Sequence, residues 1–355
     1  MTILLYRPSL DLSSGAGQLM QMQLRALLAA GEDAEIGCER GALKFWLRSG
    51  TRARRIPVRA LRVANRERFV VDHGLCAPNA AVVFVHNLAT EANAHLSRPD
   101  WAEQADAERS FFRELRPDAL LVANSRLVAD ALCARFPIAP ERVVVQHPGF
   151  SAARFNPGRA ALLRAGVRRE LGVAANVPLV GLITSGDFEK RGLDVFVASA
   201  ERIAVVRADA RFLVVGSKSL PAAVRGHALA ASGRLLHRPK SRAPERWFAA
   251  LDLFLYPALF EEFGMVILEA QAVGLAVVTT RLVGAAECLP PAYERWLAER
   301  PVAAELAERV LALLADVGAR AELSAAGIAN APAHDDRAYA AASAATILAQ
   351  KRRLK

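Results

Sequence analysis

Short, near-continuous apolar runs recur along the chain: Ile3–Tyr6, Ala81–Val85, Ala119–Ala123, Val143–Gln146, Leu179–Thr184, Phe212–Val215, Leu253–Tyr256 and Ala276–Thr280. They lack the apolar–polar alternation of a strand with one wet face. Runs of this length predict parallel strands buried on both sides. Between them, apolar positions at helical spacing predict helices over Gly17–Ala30, Trp101–Leu115, Leu127–Phe136, Arg159–Leu171, Leu193–Val206 and Met265–Val273. Strand–helix alternation sustained over this length implies an α/β chain with doubly wound parallel sheets.

Two Pro-Gly pairs, Pro148-Gly149 and Pro157-Gly158, crowd the middle of the chain. Turn residues this dense suggest a linker, and the alternation restarts at Leu179. The expected organisation is a first domain over residues 1–155, a second over 156–334, and an Ala-rich closing helix over 335–355 with a basic end. Length agrees, because 355 residues exceed a single typical core and suit two.

Composition narrows the class. Apolar residues make up 53% and charged residues 23%, so the chain is globular. The four cysteines (Cys38, Cys76, Cys133 and Cys288) are scattered without a CxxC. That favours a reducing compartment and argues against a structural zinc site. The start, Met1–Pro8, reads as a first strand and lacks the parts of a signal peptide. No uncharged apolar run approaches the roughly 18 residues of a membrane-spanning helix. The expected location is cytoplasmic, with peripheral contact to the inner face of the membrane. The formal net charge of +10 admits nucleic acid, anionic lipid or a phosphorylated substrate and does not choose among them.

The stretch Ala250–Thr280 carries the most chemistry. It reads as strand, loop Pro257–Glu262, helix from Gly264, Gly274, and strand. Gly264 lets backbone approach a ligand, and the first amides of the helix with its dipole suit a diphosphate. Glu269, among apolar neighbours, needs a partner, and vicinal ribose hydroxyls are one. The alternative is that Glu261 and Glu262 cap the helix electrostatically while Glu269 pairs with an arginine.

The segment Glu261-Glu262-Phe263-Gly264-Met265-Val266-Ile267-Leu268-Glu269 resembles the E-x7-E signature of the family 4 retaining glycosyltransferases. These have the GT-B fold, two Rossmann-like domains facing each other across a cleft. The resemblance implies that Glu261 contacts the donor sugar and Glu269 the nucleotide ribose, with backbone at Phe263, Gly264 and Met265 facing sugar and diphosphate. Upstream, Thr184–Gly192 follows a buried strand, where the family carries a basic pair that neutralises the leaving diphosphate. The early Arg is absent here and Arg191 stands at the usual Lys, so Lys190 and Arg191 are both candidates. A solvated basic turn is the alternative. The strand end Ser185–Gly192, Pro148-Gly149 and Pro257-Ala258-Leu259-Phe260-Glu261 look closest to the lipopolysaccharide core glucosyltransferases of bacteria. Likeness is strongest over the C-terminal half. It favours UDP-glucose as donor and leaves GDP-mannose and UDP-N-acetylhexosamines open.

Ser13-Ser14-Gly15-Ala16-Gly17 forms a Gly-rich passage after the first strand, without a full dinucleotide fingerprint. The resemblance implies that Gly15 and Gly17 close over the donor phosphates. His86 and Asn87 end a buried strand, where ligands of such sheets sit. The resemblance makes His86 the residue near the transferred sugar and Asn87 the runner-up; a histidine bonded to backbone is the alternative. With no Asp-x-Asp and no His/Cys cluster, no metal or other cofactor is expected, and Lys190/Arg191 would supply the positive field.

Lys44, Arg48, Arg52, Arg54, Arg55, Arg59, Arg62, Arg66 and Arg68 crowd one region that begins with Leu43, Phe45, Trp46 and Leu47. Such a mixture suits an anionic membrane surface or a phosphorylated glycolipid acceptor. Arg52–Arg68 contains no interleaved aromatic, which argues against single-stranded nucleic acid. Competing readings are a GT-B sugar-nucleotide epimerase, which lacks this E-x7-E pattern, and a non-catalytic GT-B protein that binds nucleotide sugar.

Overall fold

A computed structural model describes residues 1–10, 15–61 and 68–355. The chain divides into two units, one of residues 1–149 with 336–355 and one of residues 150–335. In the first, seven strands form one parallel sheet: β1 (Thr2–Tyr6), β2 (Ala34–Cys38), β3 (Ala53–Arg55), β4 (Arg68–Asp72), β5 (Val82–Val85), β6 (Leu120–Ala123) and β7 (Val143–Val145). Their order is β3-β2-β1-β4-β5-β6-β7. In the second, β8 (Leu179–Ile183), β9 (Arg211–Gly216), β10 (Leu235–Pro239), β11 (Leu253–Tyr256), β12 (Ala276–Thr280) and β13 (Leu297–Ala298) are ordered β10-β9-β8-β11-β12-β13, again all parallel.

Each order reverses once, between β1 and β4 and between β8 and β11. Ligands of open parallel sheets bind outside the strand carboxyl ends at such a reversal. The two reversal points therefore mark where chemistry is to be sought.

The apolar runs are strands for a plain reason. Val82–Val85, Leu253–Tyr256 and Ala276–Thr280 are buried along their whole length, so both faces need apolar side chains. Five strands escape that pattern. β3 and β10 lie at sheet edges and carry exposed arginine or proline, β13 is two residues long, β2 contains Glu35 and Gly37, and β4 begins in the polybasic stretch at Arg68. The helix Leu193–Val206 has its predicted bounds, whereas the helix expected over Met265–Val273 is confined to Val266–Ala272.

The last helix, Asp336–Arg353, belongs to the first unit. Ala344 and Ile347 join the apolar layer of β1, β4 and β5. Gln23 donates to the Tyr339 hydroxyl at 3.1 Å, and Gln350 donates to the Asp118 carbonyl at 2.8 Å. Lys351 pairs with Glu32 at 2.5 Å. Where the second unit begins and ends, the Phe150 amide donates to the His334 carbonyl at 3.1 Å.

Candidate functional site

In the second unit the loops after β8 and β11 are fastened to each other. Gly192 has φ +68°, and a Cβ there would lie 2.0 Å from the Pro257 carbonyl oxygen. Only glycine permits this approach. Next to it the Leu259 amide donates to the Lys190 carbonyl at 3.0 Å. The β11 loop is also strapped on its other side. The Glu261 amide donates to Leu282 at 2.9 Å, the Gly284 amide to Glu261 at 2.9 Å, and the Ala285 amide to Phe263 at 2.7 Å. Gly264, at φ +87°, turns the chain between Glu261 and Val283 and opens the helix Val266–Ala272. At seven residues this helix is short, so its dipole contributes less to an anion site than the longer helix expected.

These straps bring four charges together. Lys190 Nζ lies 2.6 Å from Glu262 Oε2, and both side chains are buried. Arg191 Nε pairs with Glu261 Oε2, and the Tyr256 hydroxyl donates to that same oxygen at 2.9 Å. The arginine spreads against the bare backbone of Gly186, where a Cβ would stand 3.1 Å from Nη2. A solvated basic turn is excluded, since Lys190 is 6% exposed.

Burial pushes the Glu261 carboxyl above the usual range; Arg191 opposes this and Glu262 adds to it. Burial works against the Arg191 cation, but the fields of Glu261, Tyr256 and Glu262 outweigh it and hold the proton more firmly than usual. Arg191 Nη1 is buried without a hydrogen-bond partner. An orphaned cationic donor is costly, and an anionic oxygen would satisfy it. This separates Arg191 from Lys190, whose charge is committed to Glu262.

Glu269 stands half-buried on the helix Val266–Ala272. Burial raises its pKa to about 7, against the pull of Arg154 and with a further push from Glu245. Arg154 is itself committed, donating to Glu245 at 2.6 Å and to the Arg242 carbonyl at 2.8 Å. The arginine of the alternative reading is therefore shared with another carboxylate.

In the first unit, Gly15 and Gly17 lie in the first turn of the helix Gly15–Ala29 instead of a loop. Ser13 and Ser14 fall outside the described residues, as do Arg62 and Arg66. At the carboxyl ends of the strands, Arg7 follows β1, His73 follows β4 and His86 follows β5. Asp72, fully buried, accepts the amides of Gly74, Cys76 and Ala77 at 2.7–2.8 Å and so shapes the turn after β4. His73 Nδ1 lies 2.9 Å from His86 Nε2. The His86 ring is thus bonded to a second imidazole instead of backbone. Asn124 donates to the His86 carbonyl at 3.0 Å, and Asn87 is exposed beside it.

Sequence reasoning missed Tyr256, Arg154, Glu245, Asp72 and His73. Tyr256 carried a legible signal as the polar-tipped last residue of a strand. His73 did not, because β4 was unread.

A family model described as glycosyl transferases group 1 matches residues 179–316, a span that opens on β8, contains the E-x7-E segment and runs past β13. The chain is similar to the D-inositol 3-phosphate glycosyltransferase of Pseudarthrobacter chlorophenolicus, 28% identical over 256 residues, covering 70% of this chain and 60% of that protein. It is similar to the protein of the same name from Nocardia farcinica, 30% identical over 263 residues, covering 68% and 56%. The match thus spans under two thirds of those relatives' length. Among solved structures, WaaG, a glycosyltransferase involved in lipopolysaccharide biosynthesis, has TM-score 0.76 at 20% identity, covering 97% of this chain and 99% of that one. Anabaena HepE in complex with UDP-glucose has TM-score 0.77 at 19% identity, covering 98% and 99%. The second unit, matched by that model over residues 179–316, is a group 1 glycosyl transferase unit, and the chain has the GT-B fold.

Proposed function

We propose that this chain is a retaining, metal-independent glycosyltransferase. It moves a hexose from a nucleotide-diphosphate sugar, UDP-glucose favoured, to a saccharide or glycolipid acceptor such as a lipopolysaccharide core or another cell-surface polysaccharide intermediate. The observation that carries the reading is the buried Arg191–Glu261–Tyr256 group with its orphaned arginine nitrogen at the reversal point of the second sheet, with Glu269 on the helix that follows. Arg191 would take a diphosphate oxygen, Glu261 a sugar hydroxyl and Glu269 the ribose, with the backbone of Phe263, Gly264 and Met265 along the diphosphate.

Positive charge at the leaving diphosphate stabilises the transition state as the glycosidic C–O bond breaks. Lys190 would hold Glu262 and add to the field. The acceptor hydroxyl attacks from the face the nucleotide leaves, and the departing phosphate takes its proton. His86, with Asn87, would contact the transferred sugar, and Gly15 and Gly17 the donor phosphates.

The acceptor side is argued from charge. Arg40, Arg55 and Arg59 line a cavity of about 720 Å³ with Glu39 and Pro57, which suits an anionic group. The helix Ala42–Ser49 buries Phe45 and exposes Leu43, Trp46 and Leu47 at 67%, 42% and 70%. An apolar face beside Lys44, Arg48, Arg52 and Arg54 suits an anionic leaflet. No described helix is long and apolar enough to cross a membrane, so contact with the inner face would be peripheral.

Incubation with UDP-glucose, followed by NMR of the products, tests the reading. Release of UDP with an axial anomeric product is expected; no turnover of any nucleotide sugar would favour the non-catalytic binding protein, and an epimerised UDP-sugar the epimerase.

A further inference from the structure

The first unit holds two imidazoles that share one hydrogen, and the surroundings decide which ring carries it. His73 is 3% exposed and stacks on Phe84, with centroids 4.7 Å apart and planes at 10°. The His86 ring lies edge to edge with it, nearly coplanar at 16°, with centroids 5.2 Å apart, and stands 6.4 Å from Phe84. At 2.9 Å, His73 Nδ1 and His86 Nε2 must have one hydrogen between them, because two N–H groups would face each other and two lone pairs would repel. Neither ring is cationic, since burial lowers His73 well below its ordinary value and His86 to about 3, and the Arg7 charge lowers both further.

Two arrangements satisfy that bond. If His86 donates from Nε2, His73 keeps its hydrogen on Nε2, a buried atom with no partner. If His73 donates from Nδ1, its Nε2 is a bare lone pair. The second arrangement wins, because an orphaned buried donor is less tolerated than an under-satisfied acceptor.

We infer that His73 is a positioning residue that fixes His86 as the Nδ1–H tautomer, so that His86 offers a hydrogen-bond donor to an oxygen of the bound sugar. His86 Nδ1 has no hydrogen-bond partner among the described residues, and the His86 side chain is half-buried. The donor takes a hydroxyl or ring oxygen and cannot serve as a general base. The ligand half rests on the proposed contact between His86 and the transferred sugar.

Nitrogen-15 NMR of the intact protein reads the tautomer directly. The wild type is expected to show His86 protonated on Nδ1. His73→Asn places an amide N–H near the position of Nδ1 and is expected to keep that tautomer with most of the turnover. His73→Leu removes the donor and is expected to shift His86 toward Nε2–H, with kcat/KM for the nucleotide sugar falling about tenfold, the scale of one hydrogen bond. A wild-type Nε2–H signal, or His73→Leu with tautomer and turnover unchanged, would overturn the inference, and the wild-type spectrum decides even if a variant fails to fold. His86→Ala separates the two layers: full turnover there refutes the sugar contact and with it the ligand half, while the spectrum independently tests the control exerted by His73.

Discussion

Arg191 is the residue on which the donor site turns. Its guanidinium serves Glu261 and keeps Nη1 in reserve, a geometry a lysine point charge cannot reproduce. Arg191→Ala should destabilise the fold by about 3–5 kcal/mol, because Glu261 would be left buried and unpaired. Arg191→Lys should keep most of that stability and still lose turnover, so comparing urea unfolding with kcat separates the two roles. Glu269 supplies a pH test. Its folded pKa of about 7 lies above the unfolded value, so the native state binds the extra proton between about 4.5 and 7. The stability this group contributes is therefore present at low pH and lost as pH rises through about 7. Ribose recognition runs the other way, because the ionised carboxylate is the better acceptor. UDP-glucose, whose diphosphate does not titrate in this range, should bind about tenfold more tightly at pH 8 than at pH 6, following the ionised fraction. Glu269→Gln should flatten that dependence, with Arg154 and Glu245 left in place.

At the scale of elements, the loops after β8 and β11 act as one piece because Gly192 meets Pro257. Gly192→Ala should cost at least about 1–2 kcal/mol from the left-handed backbone alone. The clash with the Pro257 oxygen adds to that, and donor binding should weaken as the loops separate. The helix Ala42–Ser49 gives a second test. Replacing Leu43, Trp46 and Leu47 together by Ser should abolish flotation on anionic vesicles and leave the melting temperature nearly unchanged, since all three are exposed. Much of this level was readable in advance. Strands such as Leu253–Tyr256 are buried on both faces and announce themselves as apolar runs, and the Glu261–Glu269 segment and Lys190-Arg191 lie on the loops the fold brings together. β4 was not readable, since Arg68 opens it and Asp72 closes it, and the His73–His86 pair was lost with it. Pairings such as Tyr256 with Glu261, or Arg154 with Glu245, depend on loop paths that no local pattern encodes.

For the whole molecule, each unit has its own sheet and its own apolar core. The closing helix Asp336–Arg353 is sequence-distant from the first unit yet completes it through Tyr339, Ile347, Gln350 and Lys351. Removing residues 336–355 should lower the first unit's stability by several kcal/mol, on the scale of large core truncations, while residues 150–335 keep their cooperative melt. Calorimetric titration of the full chain with UDP-glucose, GDP-mannose and UDP-N-acetylglucosamine tests the central claim most directly. One of the three, UDP-glucose foremost, should bind one per chain and lose at least about tenfold in affinity on Arg191→Lys, a change that trades a fork of donors for a point charge. Binding undiminished by that substitution, or no binding by any of the three, would contradict a nucleotide-sugar site at Arg191 and Glu261.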